Sequence, residues 1–274
     1  MTDLLVRKLL IDLDSPFHKH WCNGDAFLSA WFDALSMSFP IGEQFFIDSV
    51  RTGFSRLPPE KQKAFESEVK GFIGQEATHR HLHAKFNQHL ANQGLPNEWE
   101  GRAKARLAPL STADIRHSLA ITAANEHFTA LFAHWLLTHP ECLQETEPRL
   151  RYLWEWHSAE ESEHRCTAFD LYQALDGSHE WRVKWMRRIT VIFLTDVLRQ
   201  TAINLKASGE LWRISTWRSA WRFLLGKRGL LRTSYGAWRE YFRRDFHPSE
   251  GPDEPARAWL DAHSGLFRTV NSPA

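Results

Sequence analysis

Residues 65–90 read FESEVKGFIGQEATHRHLHAKFNQHL. Counted at helical spacing, one stripe runs Phe65, Val69, Phe72, Glu76, His79, His83, Phe86, Leu90. It is apolar at both ends and ionisable in the middle. Residues three or four apart share one face of a helix. Glu76 and His79 therefore project together, about one turn apart, from a core-facing surface. Burying an isolated carboxylate there is costly unless it is paired or holds a cation.

The same interruption recurs three times. Upstream, Phe39, Glu43, Phe46, Ile47 and Val50 place one glutamate on an apolar stripe. Downstream, Leu119, Ala123, Glu126, Ala130, Ala133 and Leu137 do so again. The last stripe reads Leu150, Trp154, His157, Glu161, His164, Ala168, Leu171, Leu175. Glu161 and His164 form a second Glu-x-x-His pair. Glu43 precedes Glu76 by 33 residues and Glu126 precedes Glu161 by 35. Each pair would sit at matching height on an antiparallel hairpin, so the two halves form a pseudo-repeat. Any one of these residues alone is compatible with an exposed face. Four interrupted stripes together argue for a shared buried site.

The pattern predicts an all-α fold. Pro58-Pro59-Glu60 starts a helix that Asn92-Gln93-Gly94 ends. Residues 94–110 read as a long connection. Ser111 to Asp114 caps a helix running to about Thr138, and another spans about Leu143 to Leu175. Residues 25–56 are also helical, with Pro40 and Gly42 kinking or dividing the helix. Four long helices joined by short, long and short connections give a bundle with one crossover, the connectivity of ferritin-like bundles. Helices near 179–207, 209–225 and 230–245 follow. The expected division is a metal-binding bundle over 1–177 and a basic, Trp-rich helical extension over 178–274 packed on it.

Carboxylates and imidazoles suit Fe(II), Mn(II) and Zn(II), and four carboxylates offset two divalent cations. The segments Gly74 to His83, Trp156 to His164 and Phe246-His247-Pro248 resemble those of a bacterial family labelled predicted metal-dependent hydrolase, and the ligand pattern resembles the ferritin-like di-iron carboxylate superfamily. The resemblance implies metal ligands Glu43, Glu76, His79, Glu126, Glu161 and His164, with two Fe ions, or Mn or Zn, as cofactor. Candidate catalytic residues are Glu76, Glu161, His83 and His157. His83 and His157 face inward on the same stripes. They read as hydrogen-bonded core histidines, as groups orienting the ligands, or as ligands themselves, to a third metal or in place of one of the six. His127 lies off its stripe and reads as structural. Glu160 and Glu163 read as solvated. The main functional expectation is an O2-dependent di-iron oxidase or oxygenase acting on a small, apolar or acyl substrate. The alternatives are a dinuclear metal-dependent hydrolase and a non-enzymatic iron-binding protein.

Composition bounds the rest. The chain of 274 residues has net charge +1, but residues 181–245 hold 15 Lys/Arg against four Asp/Glu. Six Trp fall in that stretch, five of them followed directly by Arg. One reading packs these helices on the bundle with Trp inward and arginine stems outward. A second is peripheral contact with an anionic membrane. No nucleic-acid-binding module is recognisable, so no nucleic-acid partner is expected. Cys22, Cys142 and Cys166 are scattered, which points to a reducing, cytoplasmic setting. No apolar run is long enough to span a bilayer. A small-molecule substrate and O2 are the expected partners, and a dimer is compatible with the sequence.

Overall fold

The computed structural model describes residues 4–270, which are all-α apart from one short ribbon. In chain order the elements are β1 (Arg7–Leu9), α1 (Ala26–Ser55), α2 (Pro59–Asn92), α3 (Glu98–Leu107), α4 (Ile115–Leu137), α5 (Pro148–His164), α6 (Thr167–Ala174), α7 (His179–Ala207), α8 (Ile214–Leu225), α9 (Leu230–Glu240), α10 (Glu254–Ala262) and β2 (Phe267–Thr269). α1 packs on α2, and α4 packs on α5. α3 lies within the long connection between the two hairpins.

Local chemistry sets the helix ends. Asp25 accepts from the backbone N–H groups of Phe27 and Leu28 at the start of α1, and Asp114 caps α4 through Arg116 N. Pro59 and Pro148 occupy first turns, where a missing N–H costs nothing. The crossover is tied down by α7. Gln200 Oε1 accepts from the N–H groups of Glu98 and Trp99, and buried Asp196 pairs with Arg102 and Arg106. α7 also packs against α1 and α4.

Three elements differ from the sequence reading. α1 is one undivided helix with Pro40 inside it, so of the kink or division that the sequence allowed the division does not occur. The helix read from Leu143 to Leu175 begins at Pro148 and divides at Arg165–Cys166. No Gly or Pro marks that break. It is held by Arg165, whose guanidinium donates to the carbonyls of Ser162, Pro248, Gly251 and Pro252. His247 Nε2 sits 2.7 Å from Asp170 Oδ1, so the Phe246-His247-Pro248 segment is clamped under the end of α5. Third, β1 pairs antiparallel with β2, joining the two ends of the described chain. This N-terminal strand is short, and the preceding residues run close over α2. Cβ atoms at Gly71 and Gly74 would collide with Leu4 and Val6.

Candidate metal centre

The four stripes meet at one level of the bundle. Glu43, Glu76, His79, Glu126, Glu161 and His164 are all at most 4% exposed. Ligand atoms of Glu76, His79, Glu161 and His164 lie within 4.8 Å of one another, and so do those of Glu43, His79 and His157. His79 belongs to both groups, so the two are contiguous. Glu126 stands outside both. Its Oε2 lies 2.9 Å from His164 Nδ1, which leaves His164 Nε2 facing Glu76 Oε1 at 3.5 Å and Glu161 Oε1 at 3.7 Å.

The donor set fits a metal. Buried polar atoms are almost always hydrogen-bonded. Here both oxygens of Glu43, both of Glu76, Glu126 Oε1, Glu161 Oε2, His79 Nδ1 and His164 Nε2 are buried without a hydrogen-bond partner. These eight atoms belong to the six residues that the resemblance implies as ligands, and all are Lewis-basic oxygen or imidazole nitrogen.

Charge in the metal-free cluster is balanced by protons. Burial pushes the Glu43 and Glu76 carboxyls well above the ordinary range, and Glu126 to about 7 despite His164. Burial acts on Glu161 in the same direction, but His164 and His79 beside it hold it well below. For His79 burial alone would lower the pKa, yet the hydrogen bond to Glu160 and the adjacent Glu161 carboxylate carry it to about 10. Metal binding therefore has protons to displace.

Glu160 corrects the sequence reading, which leaves it solvated. It is fully buried, and its Oε2 lies 3.0 Å from His79 Nε2. Arg7 Nη1 donates to Glu160 Oε1 at 3.1 Å and to Glu163 Oε2 at 2.7 Å. Glu163 also accepts from Gln75 Nε2 at 2.8 Å, so it too is engaged rather than free in water. A carboxylate accepting one imidazole N–H fixes the ring and turns its other nitrogen toward a metal. Neither residue carried a usable signal. Glu160 neighbours the stripe rather than lying on it, and Arg7 comes from the far end of the chain.

His83 and His157 form a directed chain. Pro40 has no N–H, so the Ser36 carbonyl one turn back is released inside α1. Asn87 Nδ2 donates to it at 2.8 Å, and this turns Asn87 Oδ1 toward the Ser36 hydroxyl, which donates at 2.7 Å. With that proton committed, Ser36 Oγ accepts from His83 Nδ1 at 2.9 Å, and His83 Nε2 accepts from His157 Nδ1 at 2.7 Å. On this hydrogen-bond assignment His157 Nε2 carries a lone pair. It faces Glu161 Oε1 at 2.8 Å and Glu43 Oε1 at 3.9 Å. Burial holds both rings neutral, with His83 far below its usual pKa and His157 at about 4. A lone pair against a carboxylate calls for a cation between them. His127 is buried against Tyr241 and Phe246, away from the cluster.

Two apolar cavities flank the cluster. One, of about 300 Å³, is walled by Trp31, Phe39, Phe132, Leu230 and Trp238 and reaches His157 and Glu161. The other, of about 280 Å³, reaches Glu43 from the crossover side. Phe39, Thr129 and Phe193 border both.

Residues 5–251 match the model of a family described as predicted metal-dependent hydrolase. No curated protein and no solved structure matches the chain.

Proposed function

The chain belongs to the predicted metal-dependent hydrolase family, and from that premise we propose that it is a dinuclear metal-dependent hydrolase of an apolar, acyl-type substrate. The observation that carries this is the convergence of eight unpartnered buried ligand atoms beside an apolar cavity. Glu76, His79, Glu161 and His164 would hold one ion. Glu43 and His157, with the Glu161 carboxylate 2.8 Å from His157 Nε2, would hold the second, and Glu126 orients His164. Bound divalent ions would lower the pKa of water and offset developing negative charge.

The protein's own part is positional. Glu160 and Arg7 keep the His79 N–H committed to Nε2. The Asn87–Ser36–His83 chain keeps the His157 lone pair aimed inward, toward the place of the second ion. Trp31, Phe39, Phe132 and Trp238 exclude bulk water and hold an aliphatic chain with its polar end at Glu161.

The family description favours hydrolysis over the oxidase expectation. The oxidase remains a second reading because paired Glu-x-x-His motifs with two lone glutamates make up the ligand set of di-iron and di-manganese bundles. Both are tested by loading the metal-free protein with Zn(II), Mn(II) or anaerobic Fe(II), then assaying nitrophenyl acyl esters of graded chain length and O2 uptake. Ester turnover that requires metal and is lost in Glu161→Gln supports the hydrolase. Substrate-dependent O2 consumption by the Fe(II) form, with no ester turnover under any metal, overturns it in favour of the oxidase.

A further inference from the structure

We propose that α8 and α9 dock on an anionic lipid bilayer and pass an acyl chain from it into the cavity that ends at His157 and Glu161. The sequence reading that packs these tryptophans inward fails in α8. Ile214, Trp217, Trp221 and Leu225 follow at intervals of three and four, one face of the helix, and are 79%, 53%, 64% and 43% exposed. Trp212, just before them, is 87% exposed. The opposite face, with Thr216, Ala220 and Phe223, is buried against the bundle. The apolar stripe is thus turned to solvent while the helix is anchored by its other side. This arrangement wastes apolar surface unless something apolar covers it.

Charge identifies what covers it. Residues 211–239 hold seven Lys/Arg and no Asp or Glu. Arg213 and Arg228 are paired with Glu210 and Glu141. Arg218, Arg222, Lys227, Arg232 and Arg239 have no ion-pair partner among the described residues, and all are exposed. Tryptophan beside arginine on an amphipathic helix matches the boundary between lipid headgroups and acyl chains. No helix of the described residues is long and apolar enough to cross a membrane, so contact would be from one side.

The surface leads to the site. α9 packs on α8, and its Leu231 and Tyr235 are exposed yet also line the cavity. They form a rim between the lipid-facing surface and the apolar interior. Delivery of an acyl chain rests on the hydrolase reading above, whereas docking does not.

The test is sedimentation of the full chain with vesicles of phosphatidylcholine mixed with phosphatidylglycerol, and with phosphatidylcholine alone, at low and physiological salt. Binding to the anionic vesicles, with Trp fluorescence quenched by brominated lipid, is expected. Arg218→Glu/Arg222→Glu should weaken it by on the order of tenfold or more, and Trp212→Ala/Trp221→Ala should weaken both binding and quenching, leaving Trp217 as the remaining reporter on that face. Both pairs are exposed, so the variants should retain the wild-type circular dichroism. Absence of binding to anionic vesicles, or binding indifferent to both variants, overturns the docking proposal. Retention by duplex DNA without vesicle binding overturns it in favour of a nucleic-acid surface. Delivery is read separately with the fluorescent fatty acid parinaric acid. Ser234→Trp, at the cavity wall, should block its uptake and leave vesicle binding intact; uptake unchanged in that variant overturns delivery. Vesicle binding without ester turnover leaves docking standing and counts against the hydrolase and the acyl delivery that rests on it.

Discussion

Glu160 shows how much a single side chain beside the ligands decides. Its carboxylate spans His79 Nε2 and Arg7, and so determines which nitrogen of His79 faces the cluster. Replacing it with glutamine keeps the volume but removes the anion. Glu160→Gln is expected to weaken Zn(II) or Mn(II) binding by about 10- to 100-fold, the range found for such supporting carboxylates. Calorimetric titration of the metal-free protein checks this, and an unchanged affinity would show that His79 is positioned by packing alone. Asn87 acts at the other end of the site. Asn87→Ala leaves the Ser36 carbonyl, freed by Pro40, without its donor. It should cost about 1–3 kcal/mol in urea unfolding, and it should also weaken metal binding by releasing His157.

At the scale of elements, the legible part of the site was the part that obeys helical periodicity. Four stripes each broken by a glutamate identify a buried cluster because burial at those positions needs a cation or a proton. The helix spans of α2 and α4 follow from proline, capping and glycine signals. What could not be read is what depends on contacts distant in sequence. The division between α5 and α6 is enforced by carbonyls around 248–252 acting on Arg165, and nothing local announces it. The β1–β2 ribbon is three residues deep on each side, too short for alternation to register. The sequence left the direction of the α8 tryptophans open between two readings, because periodicity tells which residues share a face, not which way that face points. The N-terminal segment also gives a test. Gly74 lets Val6 lie against α2, one residue from Arg7. Gly74→Ala is expected to destabilise the fold by about 1–3 kcal/mol through overpacking and to lower metal affinity by displacing Arg7 from Glu160. Full stability in that variant would contradict the close approach.

The whole molecule carries its site as a proton-filled cluster, and stability should reflect it. Glu43, Glu76 and Glu126 have folded-state pKa values above those of the unfolded chain. Native protein therefore binds more protons than unfolded protein at neutral pH, so the stability they contribute is present in acid and lost as pH rises; for Glu126 the window runs from the ordinary glutamate range to about 7. The metal-free chain should melt at a lower temperature at pH 8 than at pH 6. His79 and His164, raised by their carboxylate partners, lose their contribution in the same direction. Added divalent metal should restore the melting temperature most at pH 8, where fewer protons must leave. A pH-independent melting temperature for the metal-free chain would contradict this charge balance.

The most direct measurement is the number of divalent ions held per chain. Metal-free protein is titrated with Mn(II) or Zn(II) by calorimetry, and the dialysed product is checked by elemental analysis. Two ions per chain, falling to one or none in Glu76→Gln and Glu161→Gln with the helical content unchanged, is the predicted result. A wild-type chain that holds no ion at micromolar metal, or holds as many in those variants, would contradict the account.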